Sequence, residues 1–317
     1  MIDKFGRQIN YLRVSVTDRC NLRCRYCMPE SGACKKSHSD MLTEEELVAA
    51  VEAAADLGIT KVRITGGEPL VKKNIVSICR RVAAVEGIQE VCLTTNGVFL
   101  PELAKPLKEA GVKRINLSLD TLQPEKFAYI TRVGKLEDFQ AGLKAALEAG
   151  FEKIKINTVL IGGWNDDEIA DLAELTRKYP VDVRFIELMP MYDGGEFDEK
   201  AYIPYTKVLE RLPEAVPAKQ DNGVAKLYRL PDAQGNIGLI SPISAHFCGD
   251  CNRIRLTADG RVKPCLHSAD EYPLKGLDPD GMKAVLKAAI ENKPAWHGEL
   301  DAGNRSRAGR NMNQIGG

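Results

Sequence analysis

The feature that most constrains the fold is an alternation of strand-like and helical segments before about Pro190. Strand-like runs are predicted at residues 11–17, 61–65, 90–95, 114–120, 153–160 and 182–188. Helical patterns lie between them at residues 43–57, 74–85, 101–110, 137–149 and 166–179. This alternation is typical of an α/β fold with a parallel sheet or barrel, and six units are too few for a complete eightfold barrel.

After Pro190 the pattern changes. Residues 191–217 are rich in Gly, Pro, Asp and Glu, and shorter strand-like runs follow at 226–230 and 238–241. A helical pattern near 281–291 precedes a polar tail that ends in two glycines. We predict a first domain of residues 1–222 and a C-terminal extension of residues 223–317.

Polar and apolar residues alternate within five of the predicted strands. Because side chains point to opposite faces with period two, each of these strands has one apolar and one polar face. The polar faces carry several cations, namely Arg13, Lys61, Arg63, Lys155 and Arg184. If the apolar faces pack against helices, the polar faces line the inside of a curved sheet. This pattern predicts an open, hydrated lumen for an anionic ligand; the alternative is an open sheet with one solvated face.

Composition narrows the class of protein. Lys plus Arg and Asp plus Glu both number 44, which argues against a generally basic binder of nucleic acid or membrane surfaces. Nine cysteines are too few for a disulfide scaffold of this length. We find neither a secretory signal nor a long apolar span, so we expect a cytoplasmic protein whose reduced cysteines serve metal or redox chemistry.

Three cysteines follow the first predicted strand directly. Cys20, Cys24 and Cys27 have the spacing C-x3-C-x2-C. Soft thiolates select zinc or iron–sulfur clusters, and three ligands leave an open position of the kind that catalytic metal sites use. The alternative is a structural zinc site completed by Cys34 or His38.

A second cysteine triplet lies in the C-terminal extension. Cys248, Cys251 and Cys265 have the spacing C-x2-C-x13-C and again supply three ligands. The alternative is a zinc ribbon with His246 or His267 as the fourth ligand.

Two arginines directly follow the second triplet. Arg253 and Arg255 stand two residues apart in a strand-like run, so they share a face. Guanidinium groups bind phosphate in a bidentate manner, which suits an anionic substrate. The alternative is a solvated surface pair.

The first triplet and its setting resemble the radical S-adenosylmethionine (SAM) enzymes. Gly66-Gly67-Glu68-Pro69 ends the second strand, where that superfamily has a GGE motif, and Tyr26 fills the aromatic position before the third cysteine. The resemblance implies a partial (βα)6 TIM-like barrel in which Cys20, Cys24 and Cys27 hold a 4Fe–4S cluster. It also implies that SAM binds the open iron of that cluster.

The second triplet, the Cys-Asn-Arg-Ile-Arg segment and the Gly-Gly tail together resemble the GTP 3′,8-cyclase family of molybdenum cofactor biosynthesis. The resemblance implies a second 4Fe–4S cluster on Cys248, Cys251 and Cys265, whose open iron meets the guanine of GTP. It implies SAM contacts at Tyr26, Gly67, Ser118 and Met189. It implies GTP contacts at Arg13, Arg63, Thr94, Lys155, Arg184, Arg253, Ile254 and Arg255, with Lys61 as an addition. The tail residues Gly316 and Gly317 are expected to enter the active site and support turnover; the alternative is a disordered end.

The resemblance also implies a reaction. A 5′-deoxyadenosyl radical removes the 3′ hydrogen of GTP, and bond formation between C3′ and C8 gives 3′,8-cyclo-7,8-dihydro-GTP. An external electron donor and a homodimer are expected, without nucleic-acid or membrane partners. Two alternatives stay open: another radical SAM enzyme with an auxiliary cluster, such as a peptide maturase, or a non-catalytic metal-binding module. Cys34, Cys79 and Cys92 are expected to be unliganded.

Overall fold

The computed structural model describes residues 1–33, 37–191, 197, 201–220, 223–300 and 304–316. Its strands are β1 Tyr11–Ser15, β2 Lys61–Thr65, β3 Glu90–Thr95, β4 Val112–Ser118, β5 Lys153–Leu160, β6 Val181–Glu187, β7 Val216–Pro217, β8 Lys226–Arg229, β9 Ile237–Ile240, β10 Arg253–Leu256, β11 Arg261–Lys263 and β12 Tyr272–Pro273. Its helices are α1 Glu44–Asp56, α2 Ile75–Ala84, α3 Leu100–Glu109, α4 Pro124–Thr131, α5 Leu136–Glu148, α6 Ile169–Lys178, α7 Thr206–Arg211, α8 Pro279–Glu291 and α9 Met312–Ile315.

The strands of the described chain form one sheet in the order β12-β11-β10-β1-β2-β3-β4-β5-β6-β9-β8-β7. Strands β1 to β6 are parallel neighbours joined through helices, as the α/β pattern predicts. The C-terminal part adds one parallel strand at each edge of this array, β10 beside β1 and β9 beside β6. The antiparallel strands β11, β12, β8 and β7 lie outside them.

The sequence located all six strands of the parallel array, with shifts at their ends. The predicted first strand is two residues too long, and the fourth and sixth begin earlier than predicted. Helices α4 and α7 were not predicted because they span only 8 and 6 residues, too few to show a helical period. The predicted domain boundary at residue 222 lies outside the described residues.

The apolar faces of the parallel strands form the core, as the alternation predicts. Five pairs of side chains from these faces lie in one cluster with the helices and are at most 4% exposed: Leu12 and Val14, Val62 and Ile64, Ile115 and Leu117, Ile154 and Ile156, and Val183 and Phe185. Burial of each such side chain contributes about 1.5–3 kcal/mol. Because the apolar faces pack against the helices, the opposite faces of these strands point to the inside of the curved sheet.

Local contacts fix the helices on this sheet. Thr43 and Glu46 form a capping box at the start of α1, each side chain bonding the other's backbone N–H. Helix α5 approaches the turn at Gly97 so closely that a Cβ on Gly142 would overlap the Gly97 carbonyl oxygen. None of the described helices has both the length and the apolar character that crossing a bilayer requires.

Candidate active site

The polar faces of the strands meet at one large cavity. It has a volume of about 820 Å³ and is lined by side chains from eight neighbouring strands, β10, β1 to β6 and β9. Side chains of eight adjacent strands can reach one cavity only if the sheet curves around it. The lumen predicted from strand alternation is therefore present.

Strand register brings the predicted cations together. Arg13 of β1 pairs with Arg63 of β2 on one side and with Arg255 of β10 on the other, so three guanidinium groups lie in one row. Lys155 and Arg184 line the same cavity from β5 and β6. Burial and, next, the charge of the neighbouring Arg253 lower the pKa of Arg255 to about 10, because positive charges lie close together here. Such a row favours a polyanionic ligand.

Both cysteine triplets face this cavity. Its lining includes Cys20, Cys24, Cys27, Cys248, Cys251 and Cys265. Within the described ranges, no three His, Cys, Asp or Glu side chains lie close enough to hold a single metal ion. A four-iron cluster places its thiolates on separate irons, so its ligands need not converge on one point. Cys34, one of the two fourth ligands named for the zinc alternative, lies outside the described residues.

The first triplet sits in a loop that follows β1. The backbone N–H of Leu22 donates to Cys20 Sγ at 3.3 Å, and the N–H of Cys27 donates to the Cys24 carbonyl at 2.9 Å. Burial raises the pKa of Cys20 to about 11 and that of Cys27 to about 12. Neutral thiols are therefore the stable form until cations such as iron bind them.

The turn after β2 packs against this loop. A Cβ on Gly67 would lie 2.7 Å from the Asp18 carbonyl oxygen, so only glycine permits the approach. Glu68 accepts hydrogen bonds from the backbone N–H groups of Leu70 and Asn96 and from the Thr95 hydroxyl at 2.7–2.9 Å. The Gly-Gly-Glu-Pro turn thus fixes the cysteine loop against the ends of β2 and β3.

Tyr26 has a partner that the sequence did not reveal. Its hydroxyl donates to Asp120 Oδ2 at 2.8 Å, and Asp120 Oδ1 accepts from the backbone N–H of Val159 at 2.9 Å. Burial raises the pKa of Asp120 to about 6. The sequence did contain an indication of this partner, because Asp120 follows Ser118 by two residues and therefore lies on the polar face of the fourth predicted strand.

The second triplet is held by two buried cations from distant segments. Arg7 donates to the Cys248 carbonyl at 2.8 Å, and Lys293 donates to the carbonyls of Arg253 and Pro264 at 2.9 and 2.7 Å. Burial opposes ionisation of Cys251, but the charges of Lys293 and Arg253 outweigh it and lower the pKa of that thiol. The sequence analysis missed Lys293, which has no recognisable motif.

The C-terminal tail reaches into the same cavity. The carbonyl of Gly316 accepts hydrogen bonds from Arg13 and Arg255. Asn313 donates through its side chain to the Asp18 carbonyl at 2.8 Å, next to the first triplet. The tail of the described chain is therefore docked at Gly316, whereas Gly317 lies outside the described residues.

The other predicted site residues divide into three groups. Thr94, Ser118, Met189 and Lys61 line the cavity. The side chain of Ile254 is fully buried in the hydrophobic core, and Ile254 is not among the residues that line the cavity. Cys79 and Cys92 are buried and do not line the cavity.

Several buried polar atoms of the cavity have no hydrogen-bond partner among the described residues. They include Asn116 Oδ1, Asn157 Oδ1 and Arg253 Nε. Leaving such atoms unsatisfied costs about 1–3 kcal/mol each. Their presence around two triplets of soft thiolate donors fits a cavity built for polar ligands and iron–sulfur clusters.

Comparison with known proteins agrees with this geometry. Family models described as Radical SAM superfamily and Molybdenum Cofactor Synthesis C match residues 14–176 and 181–299. Proteins named GTP 3′,8-cyclase from Alkaliphilus oremlandii and Peptoclostridium acidaminophilum are 47% and 49% identical to this chain. The alignments cover 100% of this chain and 100% and 98% of those proteins.

The chain belongs to the GTP 3′,8-cyclase family of radical SAM enzymes. Membership in the superfamily implies a 4Fe–4S cluster and SAM as cofactors. The α/β fold with a C-terminal extension, predicted from the sequence, is confirmed for this member of the GTP 3′,8-cyclase family.

Solved structures show the same fold at low identity. A crystal structure of Streptococcus suis SuiB matches with a TM-score of 0.66 and 16% identity, covering 93% of this chain and 69% of SuiB. A further SuiB structure contains the precursor peptide SuiA and matches at 14% identity. Likeness at this level concerns the fold, so it gives no support to a peptide substrate for a member of the GTP 3′,8-cyclase family.

Proposed function

We propose that this chain converts GTP to (8S)-3′,8-cyclo-7,8-dihydroguanosine 5′-triphosphate, the first step of molybdenum cofactor biosynthesis. A 5′-deoxyadenosyl radical removes the 3′ hydrogen and becomes 5′-deoxyadenosine. The C3′ radical adds to C8 of the guanine, and one electron from the external donor together with one proton reduces the cyclised radical to the 7,8-dihydro product. The observation that carries the proposal is that two cysteine triplets and the cationic row of Arg13, Arg63 and Arg255 line one cavity. Full-length relatives at 47–49% identity carry the name of this activity.

Cys20, Cys24 and Cys27 would hold the first 4Fe–4S cluster. When bound, this cluster supplies the electron that cleaves SAM to methionine and the 5′-deoxyadenosyl radical. Tyr26, Gly67, Ser118 and Met189 line the cavity beside it and would contact SAM. Asp120 holds the Tyr26 hydroxyl in place from the end of β4.

Cys248, Cys251 and Cys265 would hold a second 4Fe–4S cluster beside the guanine of GTP. Between the two triplets, the triphosphate would contact Arg13, Arg63, Lys155, Arg184, Arg253 and Arg255, with Thr94 and the Ile254 backbone at the edge. A nucleoside triphosphate carries about four negative charges, and several buried guanidinium groups would fix it in one orientation. The role of these residues is positioning, which brings C3′ to the radical and keeps water out.

Further parts of the proposal concern the whole protein. It works in the cytoplasm as a homodimer, receives electrons from an external donor and binds neither nucleic acid nor membrane. Residues 1–222 form the SAM-binding domain and residues 223–317 the extension that carries the second triplet and the tail. Gly316 and Gly317 support turnover, and the contact of Gly316 with Arg13 in the cavity supports this role.

The test is a product assay under anaerobic conditions. The chain is reconstituted with iron and sulfide, mixed with GTP, SAM and dithionite, and the nucleotide product is identified by mass spectrometry. We expect the cyclised nucleotide and one 5′-deoxyadenosine per product. The variant Cys24→Ala should lose both, whereas Cys79→Ala, in the core, should keep both. A protein that fills with zinc, or that forms 5′-deoxyadenosine without any dependence on GTP, would contradict the proposal.

A further inference from the structure

Lys293 is a buried lysine whose charge no carboxylate compensates. It lies two residues beyond the end of α8, is 2% exposed, and forms no salt bridge with any acidic residue of the described chain. Burying an unpaired cation is costly unless hydrogen bonds and a nearby anion offset it. Lys293 therefore needs an anionic partner other than the side chain of an Asp or Glu.

The two carbonyls that Lys293 binds lie next to cysteines of the second triplet. Its Nζ donates to the Arg253 carbonyl at 2.9 Å, two residues after Cys251, and to the Pro264 carbonyl at 2.7 Å, one residue before Cys265. The positive charge of Lys293 also lowers the pKa of the nearby Cys251 thiol. An ammonium group has three donors, so one remains after these two carbonyls.

The other cation at this triplet is neutralised within the protein. Arg7 donates to the carbonyls of Cys248 and Pro294 at 2.8 and 2.7 Å, but its guanidinium also pairs with Asp3 at 2.7 Å. Arg7 therefore adds little net charge and mainly fixes the chain segment on which Lys293 lies. Lys293 and Arg253 are left as the positive charges that act on Cys251.

We propose that Lys293 is a positioning residue for the second cluster. Its ammonium group ties β10 to the turn before Cys265, so that the two sides of the C-x2-C-x13-C motif keep a fixed separation. Its positive charge also lies near Cys251, and such a charge stabilises the reduced, more negative state of a bound cluster. This inference rests on the proposed function, because it takes the second triplet to hold a 4Fe–4S cluster.

The test compares two buried lysines in the full-length, anaerobically reconstituted protein. Lys293→Met removes the unpaired cation, and Lys263→Met is the matched control, since Lys263 is also fully buried but pairs with Glu271 at 3.1 Å. Iron content and the midpoint potential of each cluster are measured by redox titration followed by electron paramagnetic resonance. Added SAM identifies the first cluster, because only its signal should change.

We expect Lys293→Met either to shift the second-cluster potential to more negative values or to lose about half of the iron. Lys263→Met should stay close to wild type, and the first-cluster signal should be unchanged in both variants. A wild-type potential and iron content in Lys293→Met, or equal changes in both variants, would overturn the role of Lys293. A wild-type protein without a second cluster would instead overturn the two-cluster function itself, so the two failures can be told apart.

Discussion

The carbonyl oxygen of Gly316 lies 3.2 Å from Nη2 of Arg13, a residue on the first strand of the sheet. Arg255, on the strand that pairs with β1, donates to the same carbonyl. The end of the chain and the proposed triphosphate ligands therefore meet at one point. A substrate phosphate that binds both arginines must share them with Gly316 or displace it.

Gly316→Ala should reduce product formation by about tenfold or more. The residue has φ +69°, which costs a non-glycine residue about 1–2 kcal/mol, and a Cβ there would overlap the Thr65 hydroxyl. The matched control is Gly309→Ala, with φ +62° but open space around its Cβ position. Steady-state formation of 5′-deoxyadenosine and product measures the effect. Equal rates in the two variants would show that docking of the tail is not needed.

Arg255→Ala should weaken GTP binding about 10- to 100-fold, because a charge-assisted hydrogen bond contributes about 1.5–3 kcal/mol. The described hydrogen bonds of Arg255 go to the carbonyls of Ile315 and Gly316 and not to the first triplet, so the first cluster should form normally. Isothermal titration with GTP and the absorption spectrum of the reconstituted protein measure the two effects. Arg261→Ala, at the exposed first residue of β11, is the control. Unchanged GTP affinity in Arg255→Ala would refute the assignment of this residue.

Glu68 should make the metal-free protein less stable as pH rises. Burial raises the pKa of Glu68 to about 7 in the folded chain, although hydrogen bonds oppose this, whereas its ordinary value is 4.5. Between these values the folded chain keeps a proton that the unfolded chain has released, so stability falls with increasing pH.

The Glu68→Gln variant tests this dependence because its side chain stays neutral. The free energy of unfolding of wild type minus that of Glu68→Gln should fall by up to about 3 kcal/mol between pH 4.5 and 7. Urea unfolding at several pH values gives this difference. For the exposed control Glu86→Gln, the corresponding difference in the free energy of unfolding should not change with pH. A difference that stays constant across the range would exclude the shift.

Gly142→Ala should destabilise the protein even though it lies inside a helix. Alanine in place of glycine normally stabilises a helix by about 1 kcal/mol. Here the new Cβ would overlap the carbonyl oxygen of Gly97, so α5 must move away from the turn after β3. Thermal unfolding should show a lower midpoint than wild type, whereas Gly249→Ala, with nothing within 4 Å, should match wild type. A raised midpoint would mean that α5 can move away from the Gly97 carbonyl at little cost in stability.

Much of the site could be predicted because its residues follow local rules. Alternation along β1, β2 and β5 fixed which side chains face inward, and register then set Arg13 beside Arg63. The spacing of the first triplet indicated three candidate ligands, and all three line the cavity. In each case the relevant positions lie within a few residues of one another, so the periodicity of a single strand or a single loop carries the information.

The residues that sequence reasoning missed act across long separations. Lys293 bonds to the carbonyl of Arg253, 40 residues earlier, and Asp120 binds Tyr26 from 94 residues away. Neither residue belongs to a motif, because their contacts depend on where α8 and β4 end in the folded structure. The pairing of β10 with β1 could not be predicted either, because the sequence of a four-residue strand does not indicate which strand it pairs with.

The pairing of β10 with β1 has a consequence for how the protein is made. Strand β1 is synthesised first, but it can pair with β10 only after more than two hundred further residues have been synthesised. Until then one wall of the cavity is missing and a bare strand edge is exposed, which favours association with other chains. Such long-range pairing also slows folding, so a truncated or stalled chain is expected to aggregate rather than to bind its cofactors.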